Sequence, residues 1–319
     1  MSYYSKSIIF ILAVFALILG CRSSQPDMSA GAQAYLEEVI TLLKTSSVNR
    51  NTIDWDNFTA KVTERAKNAK TVADTYDAVA FAVAELGDHH SYFAPNIAIA
   101  EDAEKKELPV YEDEAVPQDI GYIRLPFCIG NEQQTQSYIG SILKQISERD
   151  KANLKGWIVD LRGNFGGNMW PMIVAVGPIL GNGTVGYFID ANGKAESWKY
   201  ADGKSYANDV AMEQYKEVYH LKISHPYVAV LTDTLTASSG EAMAVAFKGR
   251  PKTKSFGFKT YGVSTANQSY TLSDGSRINL TQAIFADRDK KSYGKSVLPD
   301  VECNPSDAVN QAIVWLQSH

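Results

Sequence analysis

The sequence predicts an α/β protein, and three observations carry that reading. Short, strongly apolar runs alternate with helical patterns through the second half of the chain, the signature of βαβ units. Two of those runs end in turns of small residues that lead directly into further elements. The first third of the chain instead has the 3.6-residue apolar spacing of a small helical bundle.

Taken in order, residues 31–87 hold three helical patterns. Tyr35, Leu36, Val39, Ile40, Leu42 and Leu43 mark one buried face. Asp54 precedes a second pattern with Trp55, Phe58 and Val62. Thr71 and Asp74 have capping-box spacing before the stripe Val72, Tyr76, Val79, Val83 and Leu86, and Gly87 is the expected stop. Residues 101–119 are acidic and irregular and read as a linker or solvated edge. Gly121-Tyr122-Ile123-Arg124-Leu125 is a β-rich run, and residues 137–146 read as helix. Gly156-Trp157-Ile158-Val159-Asp160-Leu161 and Tyr227-Val228-Ala229-Val230-Leu231 read as buried strands, and an Ala-rich helix covers 241–248. Ser273-Asp274-Gly275-Ser276 is a hairpin turn, and residues 307–317 form a closing helix.

The 319 residues are 45% hydrophobic and 21% charged, with 31 Lys+Arg against 36 Asp+Glu for a net charge of −5. Disorder as the main state is excluded, and so is nucleic-acid binding driven by a basic field. The three cysteines, Cys21, Cys128 and Cys303, have no zinc-ligand spacing. Two free thiols at Cys128 and Cys303 is the reading taken, with a disulfide between them the alternative.

Residues 8–19 are an uninterrupted apolar run, shorter than the roughly 20 residues that span a bilayer. Ile18-Leu19-Gly20-Cys21 closes it and resembles the lipobox of bacterial lipoproteins, in which the cysteine becomes the lipidated first residue. An uncleaved N-terminal anchor is the alternative; both place the bulk of the chain outside the cytoplasm. The expected organisation is a signal peptide over 1–20, a polar tether over 21–30, a helical domain over 31–100 and an α/β domain over 101–319. Arg22, not Asp, follows Cys21, which resembles outer-membrane sorting, so the expected location is the cell envelope, at the periplasmic face or cell surface.

Three segments bear chemistry. In Asp160-Leu161-Arg162-Gly163-Asn164-Phe165-Gly166-Gly167 a buried strand enters a glycine-rich turn, where backbone N–H groups can approach an anion or oxyanion closely. The glycine spacing is neither Walker nor Rossmann. In Thr236-Ala237-Ser238-Ser239-Gly240-Glu241 a serine sits at a helix start, either as an N-cap or as a hydroxyl in a field that favours developing negative charge. G-x-S-x-G is absent, which disfavours an α/β-hydrolase. Asp88-His89-His90-Ser91 offers a general base, or a di-histidine metal site without a clustered third ligand. His220, His225 and His319 have no motif around them.

Together these segments resemble the C-terminal processing (tail-specific) serine protease family. Residues 160–167 match its D-x-R-G-N-x-G-G turn and residues 238–241 its S-x-x-E turn. Gly257 through Thr260-Tyr261-Gly262, Leu272 to Gly275 and Val297-Leu298-Pro299-Asp300 match its G-x-x-T-[FY]-G, L-x-D-G and V-x-P-D stretches. The likeness covers roughly residues 71–316. It implies a ClpP/crotonase-like spiral of βαβ units behind the helical bundle, and a serine peptidase acting on peptides or proteins without a cofactor.

The family's Ser–Lys branch has Lys directly after T-[FY]-G, where this chain has Val263, and no stretch long enough for a PDZ domain lies between the helical bundle and Ile120. The sequence is therefore closer to the PDZ-less branch that includes the tricorn core, whose base is a histidine in a D-x-H-[ST] context. That match makes Ser238 the nucleophile and His90 the base, with the oxyanion held by the N–H of Ser239 and one from Gly166 or Gly167. Lys259 is the fallback base, and Glu241 anchors its turn. Tricorn-like members carry a Glu shortly before V-x-P-D; here Ser292-Tyr293-Gly294-Lys295-Ser296 has no acid, so no orienting group is assigned. The rival function is a catalytically inactive, lipid-tethered protein that binds a peptide or small ligand in the same cleft. His90 within hydrogen-bond reach of Ser238, about 3 Å with allowance for looseness in an unliganded site, supports the hydrolase; a separation that a modest loop movement could not close supports the binder.

Overall fold

A computed structural model describes residues 28–96 and 112–319. The signal segment, Cys21, most of the tether and most of the acidic stretch lie outside the described residues. The helical start is as the periodicity predicts: α1 (Ala30–Ser46), α2 (Trp55–Arg65) and α3 (Tyr76–Ala84), the last entered through a 3-10 turn at Ala73–Thr75. Asp54 caps α2 by accepting from Asn57 N at 3.2 Å. Asp74 accepts from the N–H groups of Lys70 and Thr71, and Gly87 ends the segment with φ of 71°.

A parallel five-stranded sheet forms the centre. Its order is β12 (Val301–Glu302), β9 (Thr253–Gly257), β8 (Val228–Thr232), β3 (Gly156–Asp160), β2 (Ile120–Arg124). The crossovers are α4 (Glu132–Arg149) from β2 to β3 and α6 (Ser239–Phe247) from β8 to β9, giving the expected βαβ progression. Strands buried on both faces explain the unbroken apolar runs. Trp157, Val159, Val228 and Val230 pack with α4, α5 (Met169–Leu180) and α6 on one face. Ile158, Ala229 and Leu231 pack with α7 (Ala308–Gln317) on the other.

Of the second, antiparallel sheet, the sequence predicts only one hairpin. The sheet runs β1 (Tyr92–Ala94), β11 (Arg277–Ala286), β4 (Gly183–Asp190), β5 (Ala195–Ala201), β6 (Lys204–Ala207), β7 (Val210–Gln214), with β10 (Thr265–Thr271) also paired to β11. Trp198 and Tyr200 point inward from β5 and seal the outer face of α5. The predicted hairpin at 273–276 is the tip of β10 and β11.

The expected boundary near residue 100 does not separate two cores. Strand β1 pairs with β11, and Leu272, Ile278 and Leu280 of the hairpin are buried in one cluster with α1, α2 and α3. At the tip, Asp274 accepts from Tyr35 Oη at 3.1 Å and Tyr76 Oη at 2.7 Å. The described end of the acidic stretch is also pinned: Asp113 pairs with Arg149 and Glu114 with Arg162. Cys128 and Cys303 are free thiols, and burial pushes the Cys128 thiol up to about 11. No helix among the described residues is long and apolar enough to cross a membrane.

Candidate active site

The site lies beyond the carboxyl ends of β3 and β8, where open parallel sheets commonly bind ligands. Two turns meet there and are tied by backbone groups. Ala237 N donates to Asn164 O at 2.9 Å, Gly163 N to Asp233 Oδ1 at 3.1 Å, and Ser239 Oγ to Gly167 O at 2.6 Å. Thr236, fully buried, donates to Leu161 O at 2.9 Å. The approach is close enough that a Cβ on Gly240 would sit 2.2 Å from Asn164 O. Small residues in both motifs are a packing requirement here.

Ser238 is the first residue of the turn into α6. Its φ of 51° and ψ of −117° are strained for a residue with a side chain. A strained serine between a strand and a helix has the geometry of a nucleophile elbow, reached here without the G-x-S-x-G pattern. Glu241 enforces the turn. It is fully buried and accepts from Ser238 N at 3.0 Å, Val263 N at 2.9 Å, Gly262 N at 2.9 Å and Thr260 Oγ1 at 2.5 Å. Burial raises its carboxyl above the ordinary value, with these hydrogen bonds opposing. As expected, it anchors the turn.

His90 comes from the opposite side, on the loop between α3 and β1. Asp88 shapes that loop by accepting from the N–H groups of His90 and Ser91 and from Ser91 Oγ. Ser91 Oγ also accepts from Thr281 N, and Asn267 Nδ2 donates to His90 O at 3.0 Å. The loop is thus fastened to β10 and β11. His90 Nδ1 lies 2.8 Å from Thr265 Oγ1. Burial lowers the His90 pKa from its ordinary value, against the opposing charge of Asp88.

Ser238, Ser239, Gly167 and His90 line one cavity of about 300 Å³, together with Thr265 and Trp170. Among the described residues, no hydrogen bond joins the Ser238 hydroxyl to the His90 imidazole. The two groups share a compartment without touching, a common looseness in an unliganded site.

The two glycines separate. Gly166 N–H donates to Asn164 Oδ1 at 3.0 Å, so the expectation that it serves an oxyanion is corrected: that group is already used. Gly167 N–H and Ser239 N–H donate to no acceptor among the described residues. The Ser239 amide is one of the orphan donors of a helix start. Gly167 has φ of 104°, and a Cβ there would meet Cys128 O at 2.0 Å, so only glycine fits.

Other candidates fall away from the cavity. Lys259 is exposed and does not line it, which removes the fallback base. Val263 is buried with its N–H on Glu241. His89, with φ of 58°, is exposed while its neighbour faces the cavity, so the pair does not converge on one point. Asp160 is buried beneath the turn, bound to Tyr122, Arg124 and Arg162. Thr265, the partner of His90, was missed. Its only signal was its place shortly after T-Y-G, at the start of a β-rich run.

The family model for peptidase family S41 matches residues 119–303. A nisin-resistance protein from Lactococcus lactis subsp. lactis is 29% identical over 90% of this chain and 87% of its own. The carboxy-terminal processing protease CtpA of Bacillus subtilis is 28% identical over 55% of this chain, which spans 35% of that protein. Among solved structures, a lipoprotein from Streptococcus agalactiae superposes with a TM-score of 0.73 at 27% identity, over 91% of this chain and 98% of that one. The photosystem II D1 C-terminal processing protease shares the fold, with a TM-score of 0.62 at 16% identity over 89% and 97% of the two chains.

Proposed function

The chain belongs to peptidase family S41, and from that premise we propose that it is a serine peptidase in which Ser238 is the nucleophile and His90 the general base. The observation that carries the reading is the strained Ser238 turn sharing one cavity with a histidine whose Nδ1 is already engaged. With Nδ1 bonded to Thr265, Nε2 is the nitrogen left for the serine proton. Ser238 Oγ attacks the peptide carbonyl while His90 takes its proton, and the carbonyl oxygen gains negative charge. The N–H groups of Gly167 and Ser239 stabilise that charge, each such donor lowering the barrier by about 3 kcal/mol. The C–N bond then breaks as His90 protonates the leaving amine, and water repeats the sequence on the acyl ester. Closure of the Ser238–His90 gap by substrate is part of this reading.

Cys21 is the proposed lipid-attachment site, holding the peptidase outside the cytoplasm. The Ile18-Leu19-Gly20-Cys21 sequence supports it. Metabolic labelling with palmitate is expected for the wild type and lost in Cys21→Ala; label retained in the variant refutes the assignment.

A fluorophosphonate probe is expected to label the protein, and Ser238→Ala to abolish labelling and peptide turnover. His90→Ala is expected to do the same in a folded protein. Labelling that persists in Ser238→Ala rejects the nucleophile. Nisin belongs among the peptides tested, given the name of the Lactococcus relative. The missing Ser238–His90 hydrogen bond favours one second reading, a peptide-binding protein without turnover; saturable peptide binding with neither labelling nor cleavage would select it.

A further inference from the structure

A second cavity, of about 450 Å³, adjoins the serine site. The two share Trp170, Phe188, Ala266 and Asn267 as lining, so they form one continuous cleft. Its composition changes with distance from Ser238. Next to the serine are backbone and small polar groups. Further out, Trp170 and Phe188 make an edge-to-face pair with centroids 6.1 Å apart, joined by Met212 from β7. At the far rim stand Asp190, Lys194 and Glu196, at the β4–β5 turn.

We propose that this cavity is a side-chain subsite for a lysine or arginine of the peptide substrate, an inference that rests on the peptidase reading. Such a side chain has an aliphatic stem and a cationic head, and it buries the first while keeping the second at a polar rim. The cleft offers that sequence of surfaces: aromatic rings that attract cations and alkyl chains alike, then two carboxylates against one ammonium. The carboxylates are available. Asp190 Oδ1 is held in place by the N–H groups of Asn192 and Lys194, each at 2.8 Å. Glu196 and Lys194 form no ion pair with each other or with any neighbour among the described residues. An acidic side chain would face a net negative rim. A purely apolar one would cover the rim's charges without pairing them, which is unfavourable.

The test uses internally quenched peptides that differ at one scanned position, occupied by Lys, Glu or norleucine, with the wild-type protein and Glu196→Lys. At one position the wild type is expected to prefer Lys over Glu by about fivefold or more in kcat/KM, and Glu196→Lys to invert the preference. The wild-type preference is expected to shrink in high salt. Norleucine cleaved as well as Lys, or a ratio unchanged by Glu196→Lys, overturns the proposal. If the wild type cleaves nothing, the peptidase reading fails separately, and the same Lys-to-Glu ratio is read as affinity by fluorescence anisotropy; equal affinities then overturn the subsite as well.

Discussion

Thr265 Oγ1 stands 2.8 Å from His90 Nδ1, so a neutral hydroxyl orients this imidazole where a carboxylate does so in Ser-His-Asp sites. A hydroxyl fixes the ring's direction but adds no charge to stabilise an imidazolium. Thr265→Val keeps the shape and removes the partner. Its kcat is expected to fall about tenfold with KM little changed, and Thr265→Ser to retain most of the rate. Equal activity in all three would deny Thr265 a positioning role.

The pH profile follows from the same environment. Burial lowers the His90 pKa below its ordinary 6.5, and Asp88 opposes the shift. Since the proposed base works neutral, kcat/KM is expected to rise with pH with its midpoint below the ordinary imidazole value. Asp88→Asn, which keeps an acceptor for the loop, should move the profile lower still. For stability the sign is the same. The unfolded chain takes up the proton first, so stability is flat above about 6.5 and falls as pH drops through the lowered folded value. Urea titrations of wild type and His90→Asn across that window check it: the slope should vanish in the variant.

Ser238 carries backbone strain that a glycine would not. Ser238→Gly and Ser238→Ala are both expected to be inactive. The glycine variant should be the more stable of the two by about 1 kcal/mol, since φ of 51° with ψ of −117° costs residues that have a Cβ. Thermal melts of the pair decide it.

Glu241 satisfies four donors in a buried place. Glu241→Ala leaves them unpaired and is expected to cost about 3 kcal/mol by denaturant unfolding. The Ser238 turn should loosen first, visible as lost amide protection at Gly262 and Val263.

Asp274 joins hairpin to bundle. Burial works against its charge, but hydrogen bonds from Tyr76, Ser276 and Tyr35 outweigh it and lower its pKa from 3.8. A depressed carboxylate contributes stability that is present above that value and lost as pH falls through the folded one. Asp274→Ala is therefore expected to raise hydrogen exchange in α1 and α3 at neutral pH. It should also reduce peptidase rate, because His90 hangs from the same unit.

The sequence discloses some of this and hides the rest for identifiable reasons. Strands β3 and β8 are legible because burial on both faces writes unbroken apolar runs. Helices α1 to α3 are legible from their stripes, and Asp54, Asp74 and Gly87 mark ends where expected. The β4–β7 meander is not, since its inward set is sparse and Trp198 and Tyr200 are its main anchors. Ser238 and His90 came from motif likeness. Which of two adjacent glycines has a free amide depends on where the Asn164 side chain turns. Thr265 acquires a role only once the fold brings it to a histidine 175 positions earlier.

The loop that bears His90 is fastened by Thr265, Asn267 and Thr281, partners separated from it by 175 to 190 positions in the sequence. Until the β10–β11 hairpin closes on that loop, the His90 ring lacks the hydroxyl that holds it. The proposed nucleophile and base are therefore coupled through tertiary closure: a chain whose β10–β11 hairpin has not docked holds the Ser238 motif but leaves the His90 ring without its partner.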